Sequence, residues 1–463
     1  MSTGKILKSF LLIILMGCAS LVFGQQQSPD TPASASFYAE PLTLERAVDL
    51  ALKRNRSVKN AELEVYSFED QLKALKTKRL PSFKVTALVN QPLTSFEQTF
   101  EKGIFGTFPG TGPIPSEDTT ISSSKNPTAV VNAQVTQPLS QLFRINLNIR
   151  QLELSREMGA EELRLKQQSV VNDVKRAYYS ILQTQSAFES TEASVKLYRE
   201  VDRVTETYVL QQVALKTDQL EVQSKLAKAE YELLTLNNLL ASQKEQLNHL
   251  LGRDVNTEFV VTDGFDAAQY VMRETDLATA RERALEQRPE IRKARLGLGQ
   301  ARLDRRIKKS EYIPEVSLNF NYTSPIGYSG ILPRSISGVA VQVEWEVFDW
   351  GRRKNELAEK GRVIEQAENS LREAESQVLM DVNNHFRKLQ ENCQLLRVTR
   401  MSQEAAVANL KVVTYKYRVQ SVLLKDVLQA QAALADANYE YRKALMSFWT
   451  AKADFEKALG EDR

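Results

Sequence analysis

The sequence predicts an α+β membrane protein written as an internal tandem repeat, in which long helices adjoin amphipathic strands that one copy of the chain cannot close into a barrel. Three observations carry this. The chain aligns with itself twice over. It holds four period-two stretches, each about the 9–11 residues of a membrane-crossing strand. It also holds two long runs, Leu139 to Leu251 and Arg352 to Leu459, that contain no proline and one glycine each, Gly159 and Gly361.

The repeat is visible at fixed shifts. At 233 residues, Leu44 falls on Leu277, Ala51-Leu52 on Ala284-Leu285, Ala61 on Ala294 and Pro81 on Pro314. Further on, at 208 residues, Asp173-Val174 falls on Asp381-Val382, Asp218 on Asp426, Tyr231 on Tyr439 and Leu251-Gly252 on Leu459-Gly460. A period this long means two copies of one unit and excludes a solenoid. The drop from 233 to 208 assigns about 25 extra residues to the first copy, between residues 90 and 171. Expected boundaries are a first repeat at 42–252, a linker at 253–275 and a second repeat at 276–460.

Residues 1–24 read as a secretory signal: Lys5 and Lys8 precede a short apolar run from Phe10 to Phe23. Two processing routes stay open. One is ordinary cleavage after Gly24. The other is lipidation of Cys18, because Leu15-Met16-Gly17-Cys18 has the form of a bacterial lipoprotein box. Residues 25–41, rich in Gln, Ser, Pro and Ala near their start, form a solvated lead-in. After the signal, no apolar run reaches the roughly 18 residues of a membrane-spanning helix.

Each copy opens with an amphipathic helix, over 43–78 and 276–311. In the first, Leu44, Ala47, Val48, Ala51 and Leu52 make the i, i+3, i+4, i+7, i+8 stripe. Pro81 and Pro314 end these segments, and strands follow. Phe83, Val85, Ala87 and Val89 alternate with mostly polar neighbours, as do Val131, Ala133 and Val135. So do Val316, Leu318, Phe320 and Tyr322, and Val339, Val341, Val343, Trp345 and Val347. The 91–128 segment between the first two strands is Gly-, Pro- and Ser-rich and holds the extra residues.

Next come the helical hairpins. About 70 residues from Leu139 to a turn near Val209 span roughly 105 Å. The return arms carry heptads: Leu226, Ala229, Leu233, Leu236, Leu240, Gln243, Leu247 and Leu250 in one, and Leu434, Ala437, Tyr441, Ala444, Phe448, Ala451, Phe455 and Ala458 in the other. Four amphipathic strands cannot close, and open edges cannot face lipid, so closure needs more chains; a trimer supplies twelve strands.

Composition excludes other classes. Net charge is +3 with no basic run, which argues against nucleic acid. Two cysteines, Cys18 and Cys393, and two histidines, His249 and His385, give neither a disulfide framework nor a metal set. No nucleophile–base pair or phosphate loop appears, so neither an enzyme nor a cofactor is expected. The competing reading is a secreted or periplasmic coiled-coil scaffold without a pore.

The residues also carry a resemblance. "LTLERAVDLALKRNRSV" resembles a repeat opening of the outer-membrane efflux protein family, the TolC family, with Arg56 at its usual proline; "EQRPEI" supplies that proline as Pro289. "YIPEVSLNFNYTS" resembles its first strand, and "VFDWGRRKNEL" its strand-to-helix junction with Gly351 in place. "QPLSQLFRINL" keeps Pro138-Leu139 without the glycine. The resemblance implies a homotrimer. In it a 12-stranded β-barrel lies in the outer-membrane lipid and joins a long helical barrel in the periplasm. A periplasmic adaptor protein and an inner-membrane transporter are the implied partners, feeding substrates for efflux or type I secretion. The family's tip motif, Tyr-Arg-x-Gly-x-x-Ser-x-x-Asp-Val-Leu, corresponds to "YRVQSVLLKDVL", residues 417–428, with Gln420 for glycine and Leu423 for serine. Tyr417, Arg418, Asp426 and, in the first copy, Asp218 are the candidate gate. Asp218 and Asp426 also suit helix N-caps, with Glu221 and Gln429 three residues on. Trp345, Trp350 and Tyr322 suit either a lipid-interface girdle or packing where strands meet helices.

Overall fold

The computed structural model describes residues 40–94, 97–122, 126–212, 215–262, 276–327, 333–419 and 421–462. The signal peptide, Cys18, the lead-in to residue 39 and linker residues 263–275 lie outside them. The first copy comprises β1 (Glu40–Leu42), α1 (Leu44–Arg54), α2 (Arg56–Thr77), β2 (Ser82–Asn90), four short strands β3 (Glu97–Phe100), β4 (Thr107–Phe108), β5 (Gly112–Pro113) and β6 (Thr119–Ser122), then β7 (Thr128–Pro138), α3 (Gln141–Leu210) and α4 (Lys216–Leu250). After β8 (Phe259–Val261) come α5 (Leu277–Gln287), α6 (Pro289–Ser310), β9 (Glu315–Ile326), β10 (Ile336–Glu344), α7 (Arg352–Arg418) and α8 (Leu424–Leu459). Among the described residues no helix is long and apolar enough to cross a membrane.

The opening helices expected over 43–78 and 276–311 are each two helices. The first breaks at Asn55, whose Oδ1 accepts the Ser57 amide at 2.9 Å and whose Nδ2 donates to Leu250 O at 2.8 Å. An asparagine that caps one helix while bonding another chain segment gains more than it would inside a continuous helix. The second breaks at Arg288, because Pro289 begins α6, where its missing N–H is not needed.

The break is also where each copy closes on itself. Gly252 and Gly460 end the return helices with φ of +66° and +84° and lie against the Arg54 and Gln287–Arg288 backbones respectively. Equivalent residues fill the two cores. Ala47, Ala51, Val58, Val170, Val174 and Leu251 are buried in one, and Ala280, Ala284, Ile291, Val378, Val382 and Leu459 in the other. The linker contributes a strand: β8 pairs with β1, and Tyr178 donates a hydrogen bond to Leu42 O at 2.8 Å beneath them.

The four long strands form one antiparallel sheet in the order β10-β9-β7-β2. Register puts Phe83, Val135, Phe320 and Val339 in a single row across it. The opposite face is polar and self-bonded: Thr136 Oγ1 donates to Asn319 Oδ1 at 2.7 Å, Asn319 Nδ2 to Gln342 Oε1 at 3.1 Å, and Thr323 Oγ1 to Asn132 Oδ1 at 2.8 Å. β10 ends at Glu344, so Trp345 and Val347 lie beyond the ladder rather than in the strand. There Glu346 turns to Arg352 and Arg353, at 2.6 and 2.7 Å, instead of extending the pairing. The 91–128 segment is not a bare loop, because β3 pairs with β6 and β4 with β5.

Toward the sheet the long helices lie in the order α2-α3-α6-α7, and away from it in the order α4-α3-α8-α7. The sequence heptads are the packed face of α4: Leu226, Ala229, Leu233, Leu236, Leu240, Gln243, Leu247 and Leu250 are withdrawn from solvent, while most of their neighbours are exposed. The α8 seam is wider, because α8 packs against both α3 and α7.

Candidate functional site at the helical tips

Two turns stand at the far ends of α3 and α7; their described residues are 211, 212 and 215 in one, and 419 and 421–423 in the other. Each helix is about 100 Å long at 1.5 Å per residue, so the turns lie far from the sheet. The first turn leaves α3 through Gln211, whose amide bonds Thr207 O at 3.1 Å, and Gln212, which bonds Val209 O at 3.0 Å. Gln212 has φ of +60°. It occupies the place that is glycine in the motif quoted above, and the backbone adopts there the left-handed form that glycine adopts at no steric cost. The second turn is closed by Ser421, whose amide and Oγ both bond Lys416 O, at 2.9 and 3.1 Å.

Asp218 and Asp426 cap these helices, but not as the sequence suggested. The N-cap residues are Leu215 and Leu423, in extended conformation, and the aspartates sit three residues on. Asp218 Oδ2 accepts the Leu215 amide at 3.2 Å and Asp426 Oδ2 the Leu423 amide at 2.9 Å. This is the carboxylate half of a capping box; leucine has no oxygen to supply the other half. Glu221 is therefore not a capping partner: it pairs with Lys225 at 2.8 Å. Both aspartates lie in the first turn of their helices, where negative charge is favoured by the helix dipole. The bonds of Asp218 and Asp426 described here stay within their own turns. Tyr417 is exposed in the last turn of α7, and Arg418 is its last helical residue.

Leu215 and Leu423 are 69% and 62% exposed, and Leu210 and Val419 beside them are exposed too. Reading the sequence for polar gate residues missed these leucines. Their signal was present as an apolar residue where capping chemistry asks for Ser, Thr, Asp or Asn.

A second polar cluster lies midway along the helices. Asp454 is buried, accepting Arg176 Nε at 2.8 Å, Arg176 Nη2 at 2.6 Å and Asn172 Nδ2 at 2.9 Å. Burial alone would raise the Asp454 carboxyl, but the Arg176 and Asn172 hydrogen bonds outweigh it and hold it below the usual range. Burial pushes nearby His385 down and the half-buried Cys393 thiol up. Among the described residues no group of His, Cys, Asp or Glu could hold a metal ion. Where strands meet helices, Trp350 is 89% exposed, has φ of +53° and meets the Phe348 ring edge-on at 4.8 Å.

The model of the outer membrane efflux protein family matches residues 47–253 and 280–461. Outer membrane protein TolC of Escherichia coli (strain K12) is 22% identical over 319 residues, which span 64% of this chain and 62% of that protein's length. A membrane protein from Pseudomonas aeruginosa superposes with a TM-score of 0.72 at 16% identity, covering 95% of this chain and 97% of the other. The MtrE outer membrane channel of Neisseria gonorrhoeae, in its open state, superposes with a TM-score of 0.68 at 17% identity over 95% and 98%. With both copies of the repeat matched, the chain belongs to the outer membrane efflux protein family.

Proposed function

We propose that three copies of this chain form a passive exit duct that crosses the outer membrane and projects into the periplasm. One observation carries the reading: the chain ends on matching unfinished edges in both of its layers. β2 and β10 are the free edges of the sheet, run antiparallel to each other and are exposed along their whole length. The helix array likewise ends on α4 and α7, also antiparallel. Each carries a second heptad stripe in solvent: Leu220, Ala227, Tyr231, Leu234 and Ala241 on α4, and Val398, Met401, Ala405, Ala408, Val412 and Tyr415 on α7. A threefold ring joins β10 to the next copy's β2 and α7 to the next copy's α4. It satisfies every sheet edge that lipid would leave unpaired and makes a twelve-stranded β-barrel continuous with a helical barrel. The apolar row through Phe83 and Phe320 then faces lipid and the Asn319 network faces the conduit. A pore-free coiled-coil scaffold has no use for these strands.

In this reading Trp345 and Trp350 form part of a girdle at the membrane interface. A periplasmic adaptor and an inner-membrane transporter deliver the cargo, and no step needs a cofactor. Asp426 of three copies rings the tip with Asp218, Tyr417 and Arg418 nearby, concentrating cations at the constriction. Conductance and ion selectivity in planar bilayers test it. Asp426→Asn keeps an oxygen for the Leu423 amide and removes the charge, so cation selectivity falls while stability holds. Asp426→Ala also loses the bond, about 1 kcal/mol. Unchanged selectivity in both variants removes the gate, and a purely monomeric mass in mild detergent removes the duct.

A further inference from the structure

Midway along the long helices an open cavity of about 400 Å³ lies beside the Arg176–Asp454 pair, lined by residues of α3, α7 and α8. Among its described lining residues Ala451 is the one apolar side chain and Asp454 the one carboxylate. The volume is that of a small-molecule site, about 300–1,000 Å³, but such sites are mostly apolar and this one is not. What it can hold is therefore polar.

The charge it presents is positive. Asp454 is satisfied within the fold by Asn172 and by the Nε and Nη2 atoms of Arg176, and its side chain is only 11% exposed. It thereby fixes the guanidinium while hiding its own charge. Arg176 gives one edge to that carboxylate and keeps Nη1 on its exposed side. Lys388, exposed on α7, lines the same cavity and makes no ion pair among the described residues. Around these two cations stand neutral groups that donate or accept. The Gln183 and Ser447 side chains make no hydrogen bond among the described residues. Asn392 donates to Lys388 O at 2.8 Å and keeps its Oδ1, and Thr450 donates to Met446 O at 2.9 Å and keeps its lone pairs.

We propose that this cavity binds a small polyhydroxylated anion, a sugar phosphate or sugar acid. Arg176 and Lys388 take the anionic group, the arginine through its free donors and the lysine as a point charge. Gln183, Asn392, Ser447 and Thr450 take the hydroxyls. All of these groups belong to one chain, so the site does not depend on the duct reading. Two sources supply such an anion: a solute in transit along the conduit, or a periplasmic sugar held on the outer wall.

The test is isothermal titration of the full-length chain, purified in mild detergent, with glucose 6-phosphate as probe and glucose as its neutral counterpart. Glucose 6-phosphate should bind saturably and glucose should not, and affinity should fall as salt is raised, because both cations are partly in water. Lys388→Gln should weaken binding roughly tenfold, the loss expected for one charge-assisted hydrogen bond. Lys388→Arg should retain it. Lys411→Gln, about 35 Å further along α7, should bind as the wild type does. Lys388 is exposed, so its variants should also melt as the wild type does. No saturable binding, equal binding of glucose, or the same loss from Lys411→Gln as from Lys388→Gln overturns the proposal. Planar bilayers separate the two sources. A probe that lowers the conductance of the wild type but not of Lys388→Gln is a solute in transit, and binding that leaves conductance unchanged places the ligand on the outer wall. Binding without any conductance fails the duct reading alone.

Discussion

Among the described glycines, Gly252→Ala should be the most damaging substitution, and the structure allows its cost to be ranked against three others. An added Cβ at Gly252 would lie 2.4 Å from Arg54 O and 2.8 Å from its carbonyl carbon, both backbone atoms that no rotamer change can move. The φ of +66° adds roughly 1–2 kcal/mol for a residue with a Cβ. Relieving the clash requires the end of α4 to back away from the α1–α2 break, which stretches the Asn55 bond to Leu250 O and forfeits about 1 kcal/mol more. The sum is roughly 2–3 kcal/mol. At the equivalent Gly460 the nearest atom would be 3.1 Å away, so a shift of a few tenths of an ångström suffices. Gly460→Ala should then cost about 1–2 kcal/mol, mostly from its φ. Gly110 has open space around it and should cost about 1 kcal/mol. Gly361, inside α7 with nothing nearby and an ordinary φ, should gain about 0.5–1 kcal/mol as alanine. Thermal melts of the four variants followed by circular dichroism give the order directly. If Gly252→Ala melts with or above Gly460→Ala, the account of how each copy closes on its opening helices is wrong.

Gln212→Gly should stabilise the first tip by about 1 kcal/mol by removing left-handed strain, read as a higher melting midpoint; no change would mean the turn is relaxed with glutamine. Arg176→Leu should destabilise by about 2 kcal/mol at neutral pH, less than a fully buried pair, because the Arg176 side chain is 51% exposed. The Asp454 carboxyl is depressed in the fold, so its contribution is present above about pH 4 and lost as pH falls through its folded value. The melting difference between wild type and Arg176→Leu should therefore shrink on acidification; a difference that widens refutes the assignment. An epitope inserted after Gly110 should be labelled on intact cells, and labelling only after the outer membrane is permeabilised would reverse the orientation.

The candidate site was legible as a location more than as a mechanism. Asp218 and Asp426 marked the turns, because a carboxylate between two long proline-free runs signals a helix start. Their place in the first turn was not readable, since a carboxylate three residues in can serve the N-cap amide as well as an N-cap carboxylate serves the amides that follow. The breaks at Asn55 and Arg288 had local signals, an asparagine before Ser57 and a proline after Arg288. A stripe continuing across both made one helix look as good as two.

What the sequence by itself determined was everything periodic: four strands of period two, heptads on the return arms and the unit written twice. Periodicity survives translation into structure because it decides which face of an element is apolar, and that face must be buried whatever the neighbour is. Only the tertiary structure decided which neighbours those are. The strand order β10-β9-β7-β2, the placement of α3 between α4 and α8, and the end of α4 lying against Asn55 are contacts between residues far apart in the chain. They are chosen by shape and by which backbone groups remain to be satisfied, and an apolar stripe says that it will be covered without naming what covers it.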